Sequence, residues 1–218
     1  MSFILLGILN SQADGGSALY VAVGNNGELA TSTDGITWTS RTSGFGGGTS
    51  GSIYGVIYGD GLYVAVGEGG KLATSTDGIT WTSRTSGFGT TRIYGVTYGD
   101  GLYVAVGQDG TMTTSTDGIT WTSRTSGFGT TRMRGLGYGD GLYLVVGDSG
   151  TMTTSTDGSS WTTRTSGFGT TVILGVTFGD GLYIAFGRSG TLTTSPDGIT
   201  WTSRTSGFGS RHINGVTA

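Results

Sequence analysis

Short apolar runs alternate with glycine-containing turns along nearly the whole chain, and this alternation repeats with a fixed period. One period, residues 93–132, reads IYGVTYGDGLYVAVGQDGTMTTSTDGITWTSRTSGFGTTR. Asp-Gly pairs between β-rich runs are a strong hairpin signal, because glycine accepts a positive φ and aspartate bonds to its own turn. The pattern predicts four antiparallel strands, labelled A to D: Ile93–Tyr98, Leu102–Val106, Thr111–Ser115 and Ile119–Thr125.

The period is marked by one tryptophan per repeat, at spacings of 43, 40, 40 and 40 residues. The three extra residues of the first interval lie in the loop GFGGGTSGS, which follows the first repeat. Four antiparallel strands per 40-residue period are typical of a propeller blade. A parallel β-solenoid is the alternative, but consecutive Asp-Gly hairpins disfavour it. The sequence therefore predicts an all-β, five-bladed β-propeller.

The ends of the chain carry one strand too many for five blades. Segments like strand A occur six times, whereas strands B to D occur five times; the first copy is Phe3–Leu9 and the last is Ile213–Ala218. The last copy continues the repeat in register, so we expect it to pair with Leu19–Val23, complete blade 1 and close the ring. If Phe3–Leu9 supplies that strand instead, the C-terminal copy is the spare one.

A surplus apolar strand needs a covering surface, because an unpaired and uncharged strand tends to aggregate. We therefore divide the chain into an apolar anchoring segment, residues 1–12, and the propeller, residues 13–218. Phe3–Leu9 is expected to attach the chain to a protein partner, such as a virion or another assembly.

Composition and charge exclude several classes of function. Charged residues make up 11% of the chain and its net charge is −3, so no basic field exists that would favour nucleic-acid binding. Cysteine is absent, which excludes disulfides and thiolate metal sites. No apolar run approaches the roughly 20 residues of a membrane-spanning helix.

Candidate catalytic groups are scarce. The chain has one histidine, His212, and two glutamates, Glu28 and Glu68, while nearly all the aspartates occupy predicted turns. A glycosidase needs two carboxyl groups that face each other across the substrate, and a Ser–His–Asp triad needs a histidine beside a serine. The sequence shows neither arrangement, so we expect no catalytic residues, no metal site and no cofactor.

The segment STDGITW, or a close variant of it, occurs once in every repeat and resembles the Asp-box, or BNR, repeat. The match departs from that motif by one residue missing between Asp and Gly. The resemblance implies a propeller in which the aspartate stabilises the turn between strands C and D and the tryptophan packs into the blade. These positions are Asp34 and Trp38, Asp77 and Trp81, Asp117 and Trp121, Asp157 and Trp161, and Asp197 and Trp201.

Two weaker resemblances suggest a function. Five nearly identical blades are similar in architecture to the tachylectin group of sugar-binding proteins. MSFILLGILNSQA is similar to the N-terminal segment of tailed-phage virion proteins, particularly those of cyanophages. The first interpretation is a virion-associated or surface-displayed adhesion protein, located on a virion or at an extracellular surface, although the cytoplasm is left open. The alternative is a soluble multivalent lectin that binds glycans at about five equivalent sites.

Differences between the repeats indicate where a ligand would bind. They concentrate in the B–C turns and in the connections from strand D to the next strand A, which lie on the same face of a four-stranded meander. The candidate ligand-facing residues are Tyr54, Arg92, Tyr94, Arg132, Arg134 and His212. The repeated phenylalanines of the Gly-Phe-Gly loops are expected to fill the seams between blades, with sugar stacking as the alternative. They are Phe45, Phe88, Phe128, Phe168 and Phe208.

Overall fold

The computed structural model describes residues 19–217. The strands are β1 (Tyr20–Val23), β2 (Glu28–Ser32), β3 (Thr39–Thr42), β4 (Ile53–Gly59), β5 (Leu62–Gly67), β6 (Leu72–Ser75), β7 (Thr82–Arg84), β8 (Ile93–Gly99), β9 (Leu102–Gly107), β10 (Met112–Ser115), β11 (Thr122–Arg124), β12 (Met133–Gly139), β13 (Leu142–Gly147), β14 (Met152–Ser155), β15 (Thr162–Arg164), β16 (Ile173–Gly179), β17 (Leu182–Gly187), β18 (Leu192–Ser195) and β19 (Thr202–Arg204). The helices are three-residue 3-10 turns, and over residues 19–217 none is long and apolar enough to cross a membrane.

The strands form five antiparallel sheets. Their orders are β1-β2-β3, β4-β5-β6-β7, β8-β9-β10-β11, β12-β13-β14-β15 and β16-β17-β18-β19. Each sheet follows the chain as a meander, because consecutive strands are joined by short turns. The fold is all-β and propeller-like, and the five sheets fit five blades, which are numbered 1 to 5 below.

The A–B hairpins have the register that the Asp-Gly signal predicts. In blade 2, Tyr58 pairs with Tyr63 and Gly59 pairs with Leu62. The two turn residues between them, Asp60 and Gly61, both have positive φ, at 46° and 78°. Two positive φ values define the type I′ turn, whose twist matches that of the flanking strands. The prediction of this turn from its residue types is confirmed.

Strand D is shorter than the sequence predicts. In blade 3 it covers Thr122–Arg124, whereas the pattern predicts Ile119–Thr125. The backbone N–H groups of Ile119 and Thr120 donate to Oδ1 of Asp117, at 2.8 and 2.7 Å. Because these donors are held by the turn, they are not available to a strand ladder. The strand therefore begins after the tryptophan and not before it.

The strand predicted at Ile213–Ala218 does not form in the described residues. Ile213 is buried and its N–H donates to the carbonyl of Gly187 at 2.9 Å, but residues 213–217 contain no strand and the described sheet of β1 has three strands. In the four-stranded blades a two-residue turn joins strand A to strand B. A strand from the far end of the chain has no such turn, so its pairing must also offset the entropy of closing a longer loop. The other candidate strand, Phe3–Leu9, lies outside the described residues, as does the anchoring segment 1–12.

The chain forms two compact units, each with its own core. The first contains residues 19–103 and Ser115–Thr122, and the second contains Val104–Thr114 and residues 123–217. A core cluster of the first unit includes Val21, Leu29, Ile53 and Val56, and one of the second includes Leu144, Val146, Met152 and Ile173. Strand B supplies much of both cores, because it is apolar on both faces.

Four of the five Gly-Phe-Gly phenylalanines are buried. Phe45, Phe88, Phe128 and Phe168 are at most 4% exposed. The Phe168 ring packs against Gly187, the last residue of strand B in the following blade. The prediction that these rings fill seams between blades is confirmed for the three whose seam contact is described, those of Phe45, Phe128 and Phe168. Phe208 differs, because half of its surface is exposed.

Candidate functional site

A β-bulge near the start of strand A shapes the candidate site. In blade 2 the register shifts between Ile53 and Gly55, so Tyr54 is an extra residue without a partner in the ladder. The same shift occurs at Arg134 in blade 4 and at Leu174 in blade 5. A bulge redirects the side chain that it carries. The bulge position is also one of those at which the repeats differ.

Tyr54, Glu68 and Arg92 form a hydrogen-bonded cluster in the first unit. The hydroxyl of Tyr54 donates to Oε2 of Glu68 at 2.6 Å, and Nε of Arg92 lies 2.8 Å from each carboxylate oxygen of Glu68. The ring of Tyr94 lies beside that of Tyr54, with 5.8 Å between the ring centroids. The cluster thus unites three predicted ligand-facing residues, Tyr54, Arg92 and Tyr94, around one carboxylate.

The electrostatics of the cluster keep each member in its usual charge state. Partial burial would raise the pKa of Glu68, but the hydrogen bonds from Arg92 and Tyr54 outweigh it and lower that pKa. Partial burial, followed by the hydrogen bond to Glu68, raises the pKa of Tyr54 to about 12. The hydrogen bond to Glu68 raises the pKa of Arg92. At neutral pH the cluster therefore holds a carboxylate, a guanidinium and a neutral phenol.

The cluster opens into a cleft of about 610 Å3. Asn25, Asn26 and Ser50 line its other side, together with Lys71, whose Nζ donates to the carbonyls of Phe45 and Ser50 at 2.6 and 2.8 Å. These contacts hold the longer loop that follows blade 1. The charged side chains of Arg92 and Glu68 are 47% and 19% exposed, so both are accessible from the cleft.

Glu68 and Lys71 are site residues that sequence reasoning did not select. Glu68 was recognisable as a B–C turn position that varies between repeats, but nothing in the sequence indicated its contact with Tyr54. Lys71 is the one lysine of the chain, and it follows the repeat whose loop is longer by three residues. The occurrence of the single lysine directly after the single longer loop was the sequence signal that the lysine contacts that loop.

The other predicted ligand-facing residues belong to the second unit. Arg134, at the bulge of blade 4, forms an ion pair with Asp148. The carbonyl of Arg132 accepts the N–H of Asp148 at 3.0 Å. Nδ1 of the exposed His212 accepts the N–H of Ser189 at 3.2 Å, and His212 also lines a cleft of about 510 Å3 beside Phe208. Arg134 and Asp148 thus repeat, with different residues, the acid–base pairing seen at Glu68 and Arg92.

The aspartates of the repeated STDG turns bind backbone donors. Oδ1 of Asp34 accepts the N–H groups of Ile36 and Thr37 at 2.8 and 2.7 Å and the hydroxyl of Ser32 at 2.9 Å. The same pattern recurs at Asp77, Asp117, Asp157 and Asp197. The indole N–H of each tryptophan donates to the turn glycine three residues earlier, as in Trp38, Trp81, Trp121, Trp161 and Trp201. The tryptophans are half-buried at the surface, except Trp38, which is exposed.

The turn aspartates make the stability of the fold depend on pH. Hydrogen bonds from Thr120 and Ile119 lower the pKa of Asp117 to about 2. A carboxylate whose pKa is lower in the folded chain stabilises the fold above its unfolded pKa, and this contribution disappears as the pH falls through the folded pKa. We expect Asp117→Asn to be less stable than the parent at pH 6, and the difference to shrink as the pH falls from about 4 towards 2. Thermal melting followed by circular dichroism at each pH measures it.

The matched control for this prediction is Asp109→Asn. Asp109 lies in the B–C turn of the same repeat, and in the described structure its carboxylate accepts none of the backbone N–H bonds that Asp117 accepts. Asp109→Asn should therefore lose less stability than Asp117→Asn at pH 6. A deficit of Asp117→Asn that stays constant down to pH 2 would contradict the assignment of the stabilisation to the ionised carboxylate.

The described residues offer no ready metal site. Over residues 19–217, no group of three or more His, Asp or Glu side chains is placed to hold an ion. What the first unit does offer is a polar cleft with donors of both kinds, guanidinium and amide, beside a carboxylate and two phenol rings. Such a surface suits hydrogen bonding to a polar ligand.

Residues 88–168 match the family model of the DUF6242 β-propeller domain. The solved structure of YCF48 from Cyanidioschyzon merolae is 18% identical, with 85% of this chain and 69% of that chain covered and a TM-score of 0.60. YCF48 bound to D1 peptide is also 18% identical, over 94% and 69%, with a TM-score of 0.65. Virginiamycin B lyase from Staphylococcus aureus is 13% identical, over 90% and 68%, with a TM-score of 0.75. No curated protein matches the sequence.

These similarities support a β-propeller fold and nothing narrower. One similar structure is an enzyme, so the fold does not decide whether this chain has catalytic activity. The resemblances to Asp-box repeats, to tachylectins and to phage N-terminal segments stay predictions, as does the absence of an enzymatic role.

Proposed function

We infer that this chain is a non-enzymatic binding propeller that takes one protein partner per chain, through the cleft around Tyr54, Glu68 and Arg92. The observation that carries this proposal is that variable and invariant repeat positions have different roles. Tyr54, Glu68 and Arg92, at positions that vary among the repeats, meet in one accessible cleft, while residues that are identical in every repeat serve the fold.

The identical residues are the ones that a five-site lectin would need. Four of the five phenylalanines are at most 4% exposed, so they offer no surface to a sugar ring. Each tryptophan donates its indole N–H within its own turn, and Nε of each strand-D arginine donates to a threonine hydroxyl, as Arg84 does to Thr74 at 2.9 Å. Five equivalent glycan sites would therefore have to displace structural contacts. This favours one asymmetric site over the multivalent lectin.

The chemistry of the cleft suits a peptide segment. The Arg92 guanidinium and the amides of Asn25 and Asn26 donate hydrogen bonds, Glu68 accepts them, and Tyr54 adds a planar surface. Tyrosine and arginine are enriched in protein interfaces for these reasons. YCF48, which shares the fold, was solved with a bound peptide, which supports the view that propellers of this kind accept such ligands.

The proposal also covers where the chain acts. We place it on a virion or another assembly, or at an extracellular surface, attached through Phe3–Leu9, with the cleft turned towards a host or neighbouring protein. The attaching segment lies outside the described residues. The support for this part is the resemblance of the N-terminal segment and the apolar surface that Phe3–Leu9 would otherwise leave uncovered.

The experiment is a selection from a random peptide library on the immobilised chain, followed by calorimetry with the selected peptide. We expect one peptide per chain, and roughly a tenfold or larger loss of affinity in Arg92→Ala, as for a central interface residue. Arg188→Ala is the matched control, because Arg188 is an exposed arginine of a B–C turn in the second unit. Its affinity should equal that of the parent.

Two results would contradict the proposal. One is a library that yields no binder, or binders whose affinity is the same in Arg92→Ala. The other is a glycan array that selects a sugar which then binds at about five sites per chain, which would favour the lectin instead.

A further inference from the structure

The loops that follow blades 2, 3 and 4 close on themselves through a hydrogen bond to the carbonyl of their phenylalanine. In blade 2 this carbonyl, that of Phe88, accepts the N–H of Thr91 at 3.1 Å and the hydroxyl of Thr91 at 2.8 Å. The backbone bond recurs in the next two blades, where the sequence is again Phe-Gly-Thr-Thr. Each of these short loops therefore contains the donor that holds it.

The loop that follows blade 1 is three residues longer, and a side chain from another turn holds it. Residues 45–52 read FGGGTSGS, whereas residues 88–92 read FGTTR. Nζ of Lys71 donates to the carbonyl of Phe45 at 2.6 Å and to that of Ser50 at 2.8 Å. Both bonds are charge-assisted, which makes them stronger than bonds between neutral groups. The ammonium thus joins the start of the long loop to its far end.

The backbone around Lys71 does not require a lysine. Its N–H donates to the carbonyl of Glu68 at 3.3 Å, and the N–H of Thr111, at the equivalent position of blade 3, donates to that of Gln108 at 3.1 Å. The same position holds threonine in the three repeats that follow, as Thr111, Thr151 and Thr191. What distinguishes Lys71 is therefore its contact with the long loop.

The long loop forms part of the cleft. Thr49 and Ser50 are exposed and line the cleft together with Tyr54, Glu68 and Arg92. Four of the six residues between the phenylalanine and Ser52 are glycines, which give the backbone little restraint of their own. All of these residues belong to the first unit. The two bonds from the ammonium therefore restrain one wall of the cleft.

We propose that Lys71 is a positioning residue, which fixes residues 46–51 and thereby determines which peptides the cleft accepts. The inference rests on the proposed function, because it concerns the same cleft and the same peptide. A loop that is ordered before binding does not add the free-energy cost of its ordering to the binding step. Thr49 and Ser50 then present their hydroxyl groups at fixed places, so the fit of a peptide depends on its sequence.

Lys71→Thr tests the proposal, since it introduces the residue of the following repeats and keeps the backbone bonds of the turn. Nuclear magnetic relaxation of the amides of residues 46–51 reads the loop directly. We expect order parameters of about 0.85 in the parent and below about 0.6 in the variant. The peptide selected on the parent should bind the variant roughly tenfold more weakly. A new selection on the variant should yield a different sequence.

A shortened loop provides the compensating variant. Removal of three glycines leaves FGTSS, which has the length of FGTTR at residues 88–92 and places Ser50 where Thr91 closes the short loop. The glycines removed are Gly47, Gly48 and Gly51. Lys71→Thr should lower the urea midpoint of the parent but leave that of the shortened chain unchanged. Thr111→Ala, at the equivalent position of blade 3, is the matched control and should leave loop order and peptide affinity as in the parent.

The results separate failure of this inference from failure of the proposed function. If the parent binds a peptide in a manner that depends on Arg92, but Lys71→Thr binds it equally well, the inference is wrong and the proposed function stands. Equal order parameters in parent and variant, or equal losses of midpoint at both loop lengths, would also overturn the inference, and neither measurement needs a peptide. A library that yields no binder for the parent overturns the proposed function, and this inference with it.

Discussion

Phe168→Ala is expected to lower the free energy of unfolding by about 3–5 kcal/mol, the usual cost of removing a buried aromatic ring and leaving a cavity. Phe168 is 4% exposed and packs with Leu144, Ile173 and Tyr183. Its ring lies on Gly187, which has no side chain that could move into the vacated space. Urea unfolding followed by tryptophan fluorescence measures the loss, which appears as a lower midpoint at an unchanged slope.

Phe208→Ala is the matched control, since it removes the same ring from the same loop of the last repeat. Because half of Phe208 is exposed, we expect a loss of less than about 1 kcal/mol. Equal losses in the two variants would show that the repeat, and not burial in a seam, determines the contribution of the ring.

Gly67→Ala should cost about 1–3 kcal/mol or more, because a methyl group there overlaps backbone that cannot move aside. Its Cβ would lie 2.2 Å from the carbonyl oxygen of Ser52 and 3.0 Å from Cα of Ile53. That carbonyl accepts the N–H of Glu68 at 2.9 Å, so a shift would also disturb the turn that carries Glu68. The backbone of Gly67 is extended, with φ −171°, so the expected loss is steric and not conformational.

Gly24→Ala tests that reasoning at the equivalent position of blade 1. Among residues 19–217 no heavy atom lies within 4 Å of the added Cβ, and the backbone is extended there as well. Both variants gain the same unfolded-state contribution from replacing glycine by alanine. The difference between their unfolding midpoints therefore isolates the overlap. If Gly24→Ala were as unstable as Gly67→Ala, the closeness of Ser52 would not be the cause.

The hairpins could be predicted from the sequence, whereas strand D could not. Strand A of blade 3 ends at Gly99, only one residue after its predicted end at Tyr98. The agreement is close because the Asp-Gly turn marks the end of the strand. Strand D was predicted too long because the residues ITW look like a strand. Their N–H groups bond to Asp117, a competition that side-chain chemistry decides and strand propensity does not register.

The candidate site was predicted as a set of variable positions but not as a cluster. IYGVIY reads as regular strand, so the bulge at Tyr54 left no mark in the alternation of apolar residues. Without the bulge, the contact of Tyr54 with Glu68 could not be foreseen. The C-terminal segment was predicted as a strand because its pattern resembles strand A, but residues 213–217 contain no strand, and a residue pattern alone does not fix strand pairing.

The placement of the cleft has a consequence for how this protein can evolve. Tyr54, Glu68 and Arg92 stand at positions where several other repeats carry different residues, while the turn and seam contacts lie at positions that the repeats share. Exposed substitutions usually change stability by about 0.5 kcal/mol or less. Mutations that alter ligand preference are therefore separated from those that alter folding, so selection can act on the first without weakening the second.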